Sequence, residues 1–336
     1  MSMSINEISD QVRALPPPRV ISNQPRISDR IFRAIVTLGG FSSLLILGLI
    51  SLFLLYRGYS TLRSEGFAFI TDYEWVSSVN SDGTEGEAAS TYGVGAMLAG
   101  TIVTAIIALL IGAPIAILAA LYLAFYAPIR TRKFLVSVVD LMAAFPSILF
   151  GLWGLNVLMD QGMYVAELLN RYLGWIPIFQ VPVPVFLRSP FIAGLVLATM
   201  IIPIITSVSR EIFAQTPPDR IQAAYALGGT RWAMIKTVAI PYGYSGVVGG
   251  AMLGIGRALG ETVAVFTVLN IVYRANFDIL LGAGGNLASH IILKFGEASG
   301  EEIKALMAAG FVLFLLTLAV NLLADSIVLR TGKRGK

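Results

Sequence analysis

Two charged residues lie where charge is expensive. Arg257 and Glu261 are four positions apart in the apolar run GGAMLGIGRALGETVAVF, residues 249–266, and on a helix that spacing puts both on one face. At a bilayer centre each charge costs about 2.5–3.5 kcal/mol on insertion scales, so such groups normally face a cavity and pair. One reading is an ion pair that holds this helix against a partner. The other is an anion path, in which the planar guanidinium takes oxyanion oxygens two at a time and the nearby carboxylate keeps the pocket from becoming a permanent trap. Asp140 and Ser147 stand in a second apolar run, which continues AAFPSILFG over 143–151. Asp140 reads as a boundary residue satisfied by Arg132 and Lys133. Ser147 is either a pore-lining hydroxyl beside backbone that Pro146 frees or an ordinary packing residue.

Other chemistry is excluded by the same inventory. The chain has no Cys and a single His, His290, which removes disulfides, thiolate and His-cluster metal sites and a Cys nucleophile. An intramembrane hydrolase using Ser147 with Asp140 lacks a base, because His290 is expected in an outside loop and no Ser/Lys pair lies within a span. Gly254, Gly256 and Gly260 have the outline of a dinucleotide loop, but they follow no strand and sit in an apolar segment. Gly246, Gly250 and Gly254 recur every four residues, as do Gly256 and Gly260, and such small-residue ridges let helices pack closely. No GxxxxGK[ST] phosphate loop occurs, so ATP hydrolysis would have to come from another chain. No metal, cofactor or nucleic acid is expected.

The elements that must position Arg257 and Glu261 are membrane spans. Of 336 residues 56% are hydrophobic and 13% are charged, about half the charge of an ordinary soluble domain. A span needs about 20 mostly apolar residues, and six stretches qualify: 31–56, 94–126, 134–158, 190–209, 242–273 and 305–329. Pro114, Pro146 and Pro203 fall inside the second, third and fourth, where bends are tolerated if protein or a wet cavity satisfies the freed backbone. The first stretch is too long for a signal-peptide core and is followed by no small-residue cleavage site. It reads as an uncleaved first helix over 30–57, preceded by a polar, Pro-containing tail (1–29) expected to be disordered. Of the 24 Lys and Arg, sixteen fall on the side that holds both termini, seven on the other, and Arg257 within the fifth span. Both termini are therefore expected in the cytoplasm, with residues 331–336 as a short cytoplasmic tail. The outside loop 58–93 is acidic, carrying Glu65, Asp72, Glu74, Asp82, Glu85 and Glu87. The aromatics Tyr172, Trp175 and Phe179 in the next outside loop mark either the interface or a docking surface.

The cytoplasmic loop 210–241, REIFAQTPPDRIQAAYALGGTRWAMIKTVAIP, reads as two short helices. Thr216 is expected to cap the first and Pro217 to take its first position. Ile221, Ala224, Tyr225 and Gly228 then fall on one ridge, Gly228 and Gly229 stop the helix, Thr230 starts the second, and Pro241 precedes the return to the membrane. A helix with a small apolar face suits another protein's groove. It equally suits packing on its own bundle.

Gln222–Ala223–Ala224, Gly228 and Ile240–Pro241 resemble the EAA loop of ABC importer permeases, with Gln222 where Glu is usual and Ile240 where Leu is usual. Four segments together resemble the phosphate-specific permeases, and their C-type more than their A-type subunits: 92–123, FPSILFG (145–151), 215–241 and GRALGETVAV (256–265). The resemblance covers most of 30–330 and implies an all-α membrane protein with six transmembrane helices, in the type I (MetI-like) importer permease fold, its core at 94–330 containing coupling loop 215–241. It implies inorganic phosphate as substrate, passing Arg257 and Glu261 with Ser147 beside the path, and no catalytic or metal residues. Gln222, Ala223, Ala224, Gly228 and Pro241 would couple to the ATPase. The implied partners are an A-type permease subunit, two copies of a cytoplasmic ABC ATPase, an extracytoplasmic phosphate-binding protein received on loops 57–93 and 275–304, and the lipid of a bacterial inner membrane. The rivals are a permease for sulfate or molybdate and an ATP-independent channel or secondary carrier.

Overall fold

The computed structural model describes residues 26–77, 90–274, 276–298 and 300–332, without the side chains of 325 and 327–332. Most of the tail at 1–29, the acidic residues Asp82, Glu85 and Glu87, and the last four residues lie outside the described residues. The described chain forms two units, one ending at Ile50 and one running from Ser51.

Leu, Ile, Val and Ala over long stretches, with few charges, leave the backbone one way to satisfy its polar groups in lipid, which is to bond to itself in helices. The order is α1 (Ile27–Glu65), α2 (Ala68–Thr71), a hairpin of β1 (Trp75–Val76) and β2 (Thr91–Tyr92), then α3 (Gly95–Leu121), α4 (Ile129–Ala143), α5 (Ser147–Trp153), α6 (Met159–Leu173) and α7 (Pro190–Ala214). It continues through α8 (Pro218–Ala226), α9 (Arg231–Met234), α10 (Ile240–Leu259), α11 (Val263–Val268), α12 (Leu287–Phe295) and α13 (Gly300–Gly332). Among the described residues five helices are long and apolar enough to cross a membrane: α1, α3 with its π-helical extension to Tyr126, α7, the run Arg231–Leu259, and Gly300–Ala324 of α13.

A sixth crossing exists only if the pair Ile129–Ala143 and Ser147–Leu173, bent by 96°, is counted as one. The third span, expected at 134–158 with Pro146 inside it, is therefore a broken one. The break falls where Pro146 takes extended backbone (ψ 136°) ahead of Ser147. Proline also disfavours helical backbone in the residue before it. Pro114 and Pro203, by contrast, stay inside continuous helices.

The core is built on α7, the most buried span, which packs most extensively on α3 and next on α10. Ile192, Val196, Leu197, Ile201 and Ile205 of α7 are fully buried. Thr206 donates from Oγ1 to the Ala116 carbonyl at 3.3 Å, joining α7 to α3. Backbones come unusually close where α1 meets α13. A Cβ on Gly58 would stand 2.6 Å from the backbone of Ala308.

At the end of the molecule where α3 and α7 begin, an aromatic cage replaces the outside loop expected around His290. Trp75 meets Tyr92 edge-on at 5.0 Å and His290 at 4.5 Å, and its Nε1 donates to the buried Glu302 carboxylate at 2.9 Å. His290 is in α12, nine residues long and fully buried, with the Tyr273 hydroxyl 3.4 Å from Nδ1. Burial, then the charges of Glu302 and Glu297, push the Tyr273 hydroxyl up. The other ring nitrogen of His290, Nε2, is buried with no partner among the described residues. His290 is thus a structural group and no general base for Ser147.

Burial first, and Lys294 second, lower the His290 pKa to about 4. The unfolded chain then binds a proton before the folded one does. Stability is complete above the ordinary value near 6.5 and is lost as the pH falls from there towards 4, by on the order of 3 kcal/mol. In detergent, the unfolding temperature of the wild-type protein should drop between about pH 7.5 and 4.5 by clearly more than that of His290→Gln. Equal drops would remove His290 as the cause.

Candidate translocation site and coupling loop

Arg257 and Glu261 do not share a helix face. α10 ends at Leu259, Gly260 closes it, and α11 begins at Val263, so the expected single span over 242–273 is two helices with a break between the charges. Arg257 lies in the last turn of α10, where a cation meets the partial negative charge of the helix end. Glu261 lies just before α11, where an anion meets the positive end. Its Oε1 accepts from the Ala264 N–H at 3.2 Å. Each charge is thus supported by its own helix terminus. Among the described residues the ion pairs are Arg171–Glu167 and Lys304–Glu301, and Arg257–Glu261 is not one of them. The ion-pair reading is overturned.

The two groups differ in availability. Glu261 is buried, at 7% exposure, and engaged with backbone. Arg257 is half-buried, and its Nε is shut off from solvent with no partner among the described residues. A buried N–H without a partner calls for an acceptor, and an oxyanion supplies one. The break is stapled from α12, where Ser289 Oγ donates to the Thr262 carbonyl at 2.8 Å.

Ser147 opens α5 just after the bend and is half-buried. α5 packs on α11 through Gly151, where a Cβ would collide with Thr267 Oγ1 and come within 2.8 Å of Ala264 Cα. Ser147 therefore belongs to the helix that braces the break. Asp140 is exposed and accepts from Ser207 Oγ of α7 at 3.1 Å, and no cation lies within 4 Å of it among the described residues. The expected partners Arg132 and Lys133 give way to a helix–helix hydrogen bond.

The loop 215–241 contains the two helices read from its turn signals, with different ends. Thr216 does not cap α8. Its Oγ1 donates back to the Phe213 carbonyl at 2.8 Å, and α8 starts at Pro218 behind Pro217. Gly228, at φ 78°, stops α8 in the left-handed conformation that glycine adopts without strain. Thr230 caps α9 by accepting from the Ala233 N–H at 3.2 Å. Pro241 marks no new start, because α9 continues into α10 through a π-helical turn, Ile235–Ala239.

The face of α8 is also redrawn. Ile221 and Ala224 pack against the protein's own cluster around Phe213 and Met234. Gln222 and Ala223 are exposed, and Leu227 is 90% exposed. A cavity of about 640 Å³ opens beside this ridge, lined by Arg220, Ala223, Leu227, Pro241, Tyr242 and Tyr244 among others. An apolar ridge of this kind, bare on a surface loop, is what a docking partner covers.

Five long apolar helices, one of them ending at a break beside Arg257, define a helical membrane protein. The chain belongs to the family described as binding-protein-dependent transport system inner membrane component, whose pattern matches residues 112–334. It is 40% identical over 306 residues to the phosphate transport system permease protein PstC 2 of Mycobacterium tuberculosis (strain ATCC 25618 / H37Rv), covering 90% of this chain and 92% of that one. It is 38% identical over 315 residues to the phosphate transport system permease protein PstC of Mycobacterium leprae (strain TN), covering 93% and 96%. Its fold resembles a chain of a bacterial alginate ABC transporter solved in complex with an alginate pentasaccharide-bound periplasmic protein, with a TM-score of 0.56, 18% identity, and 91% and 98% of the two chains covered. The protein is an inner membrane component of an ABC importer, and its work is transport.

Arg188, one of the seven Lys and Arg expected on the outside, has a positive φ of 55°, a backbone conformation with no local sequence signal.

Proposed function

We propose that this chain is one of the two membrane-spanning subunits of an ATP-driven inorganic phosphate importer. The observation that carries the proposal is the orphaned, half-buried Arg257 at the break between α10 and α11, in a chain whose relatives are phosphate transport permeases. A guanidinium fork matches the oxygens of a tetrahedral oxyanion, and a discontinuous helix at membrane depth is a usual place for such a site. The second permease subunit forms the other half of the path. One of two copies of an ABC ATPase sits on the exposed ridge of α8, and a phosphate-binding protein delivers substrate on the opposite face. In this reading both termini are cytoplasmic, residues 94–330 form the permease core, and loop 215–241 transmits ATPase closure to the spans. Gln222, Ala223, Gly228 and the exposed Pro241 belong to the contact itself. Ala224 supports it from behind.

The test is uptake. In cells stripped of their own high-affinity phosphate uptake, expression of the whole importer should restore accumulation of radiolabelled phosphate, dependent on ATP and on the binding protein. A hundredfold excess of sulfate or molybdate should leave it unchanged. Competition by either anion would transfer the site to that oxyanion, and uptake without ATP would make the chain a channel or carrier.

A further inference from the structure

We infer that Arg188 forms a second oxyanion station, at the mouth of the path on the face opposite the coupling loop. Arg188 is the only non-glycine residue with positive φ among the described residues, at 55°. A bulky side chain there is a true outlier, and such strain persists only where the surroundings over-determine it. Four hydrogen bonds, three of them between backbone groups, do so. The Asn270 N–H donates to the Arg188 carbonyl at 3.3 Å, Gly282 N–H to Val185 at 2.7 Å and Phe191 N–H to Ile279 at 2.9 Å. Ser189 Oγ accepts from Ile192 N–H at 3.4 Å. Glycine would fill this backbone position without strain, so the turn alone does not call for a long cation.

What the cation faces supplies the reason. Arg188 lines a cavity of about 400 Å³ with Leu155, Phe266, Thr267, Asn270 and Leu293. No carboxylate lines it, and among the described residues none lies within 4 Å of the guanidinium. The amide of Asn270 holds only a weak contact, 3.5 Å to the Gly282 carbonyl, and remains a donor to a ligand. The cavity is therefore positive, with the Asn270 amide beside the charge as a second donor to a tetrahedral oxyanion, while the Thr267 hydroxyl donates to the Ala264 carbonyl at 2.8 Å.

Its place fits the route. Arg188 directly precedes Ser189, the cap of α7, and loop 215–241 follows the other end of that helix, 25 residues on, or about 37 Å away at the helical rise. α11 runs from the Glu261 break to Thr267 at the cavity, six residues or about 9 Å. An anion arriving on this face meets Arg188 first and Arg257 next. A fixed cation at the mouth raises the local concentration of anions. The inference rests on the phosphate reading above and names the residue that first receives the substrate.

The chain has no cysteine, so one introduced thiol reports the cavity directly. Asn270→Cys keeps both backbone bonds at that position, and Leu293→Cys, on α12 across the cavity, is the second reporter should the first fail to fold. In membranes holding the whole importer, an anionic thiosulfonate should label either thiol about tenfold faster than a cationic reagent of the same size. Millimolar inorganic phosphate should slow the labelling. Adding Arg188→Asn, a residue that tolerates the left-handed backbone, should abolish both the preference and the protection, and Arg188→Lys should keep the preference. Equal rates for the two reagents, no protection by phosphate, or a preference that survives Arg188→Asn would each overturn the inference. Failure of the phosphate reading is separate, since it shows as absent uptake whatever the labelling.

Discussion

Arg257→Gln is expected to lower phosphate uptake at least a hundredfold in an importer that still assembles and hydrolyses ATP. The substitution leaves a polar side chain two atoms shorter and removes the charge and the fork. A hydrogen bond to a charged group is worth about 1.5–3 kcal/mol, so a bidentate contact to an oxyanion is worth about 3 kcal/mol at the least, a factor above a hundred. Arg257→Lys should recover only part of the rate, because a point charge replaces two parallel donors. Glu261 should behave differently. Its carboxylate accepts from Ala264 N–H at the start of α11, a bond that Gln can still accept, so Glu261→Gln should cost less than Arg257→Gln. Glu261→Ala loses that cap as well, about 1 kcal/mol, and should lower the yield of folded protein. Radiolabelled phosphate uptake beside ATP turnover in the same membranes measures all four variants. Wild-type uptake by Arg257→Gln would sink the anion-path assignment.

Leu227→Asp is expected to detach the ATPase. Leu227 is the most exposed large apolar side chain of the chain's described residues, at 90%, and the exposed Ala223 stands one helical turn before it. Burying a leucine contributes about 1.5–3 kcal/mol, so losing it weakens docking ten- to hundredfold, and an unpaired carboxylate in the same place adds desolvation. Co-purification of the ATPase with the membrane subunits should fall accordingly, and uptake with it, while the unfolding temperature of the permease stays within a few degrees. Ala224→Asp makes the contrast. Ala224 packs against the Phe213 and Met234 cluster, so its substitution should lower the unfolding temperature itself. Unchanged co-purification with Leu227→Asp would mean that the bare ridge is covered by something else.

The contrast between Ala224 and Leu227 marks how far local patterns reach. The spacing of Ile221, Ala224, Tyr225 and Gly228 correctly groups Ile221 and Ala224 on one face of α8. Spacing alone does not say whether that face meets another protein or its own core, and the Phe213 cluster decides it from another part of the chain. The caps divide in the same way. Thr230 and Gly228 act as their residue types predict, since capping is a contact with backbone two or three residues away. Thr216 turns back to Phe213, because α7 already supplies a nearer acceptor.

By itself the sequence determined the apolar spans, the position of the loop between the fourth and fifth, the family, and the place of Arg257 and Glu261 in one apolar run. These depend on composition, periodicity and short-range backbone chemistry. Only the tertiary structure decided that α10 stops at Leu259, so that each charge takes a helix end of its own. It alone put His290 inside the Trp75 and Tyr273 cage, paired Asp140 with Ser207, and held Arg188 in left-handed backbone over a cavity. The physical reason is common to all four. A helix can end, a polar group can be buried and a backbone can be strained inside a membrane protein only where distant residues satisfy the freed groups. Those partners, Ser289 for the Thr262 carbonyl, Trp75 beside His290 and Asn270 for the Arg188 carbonyl, are brought there by packing.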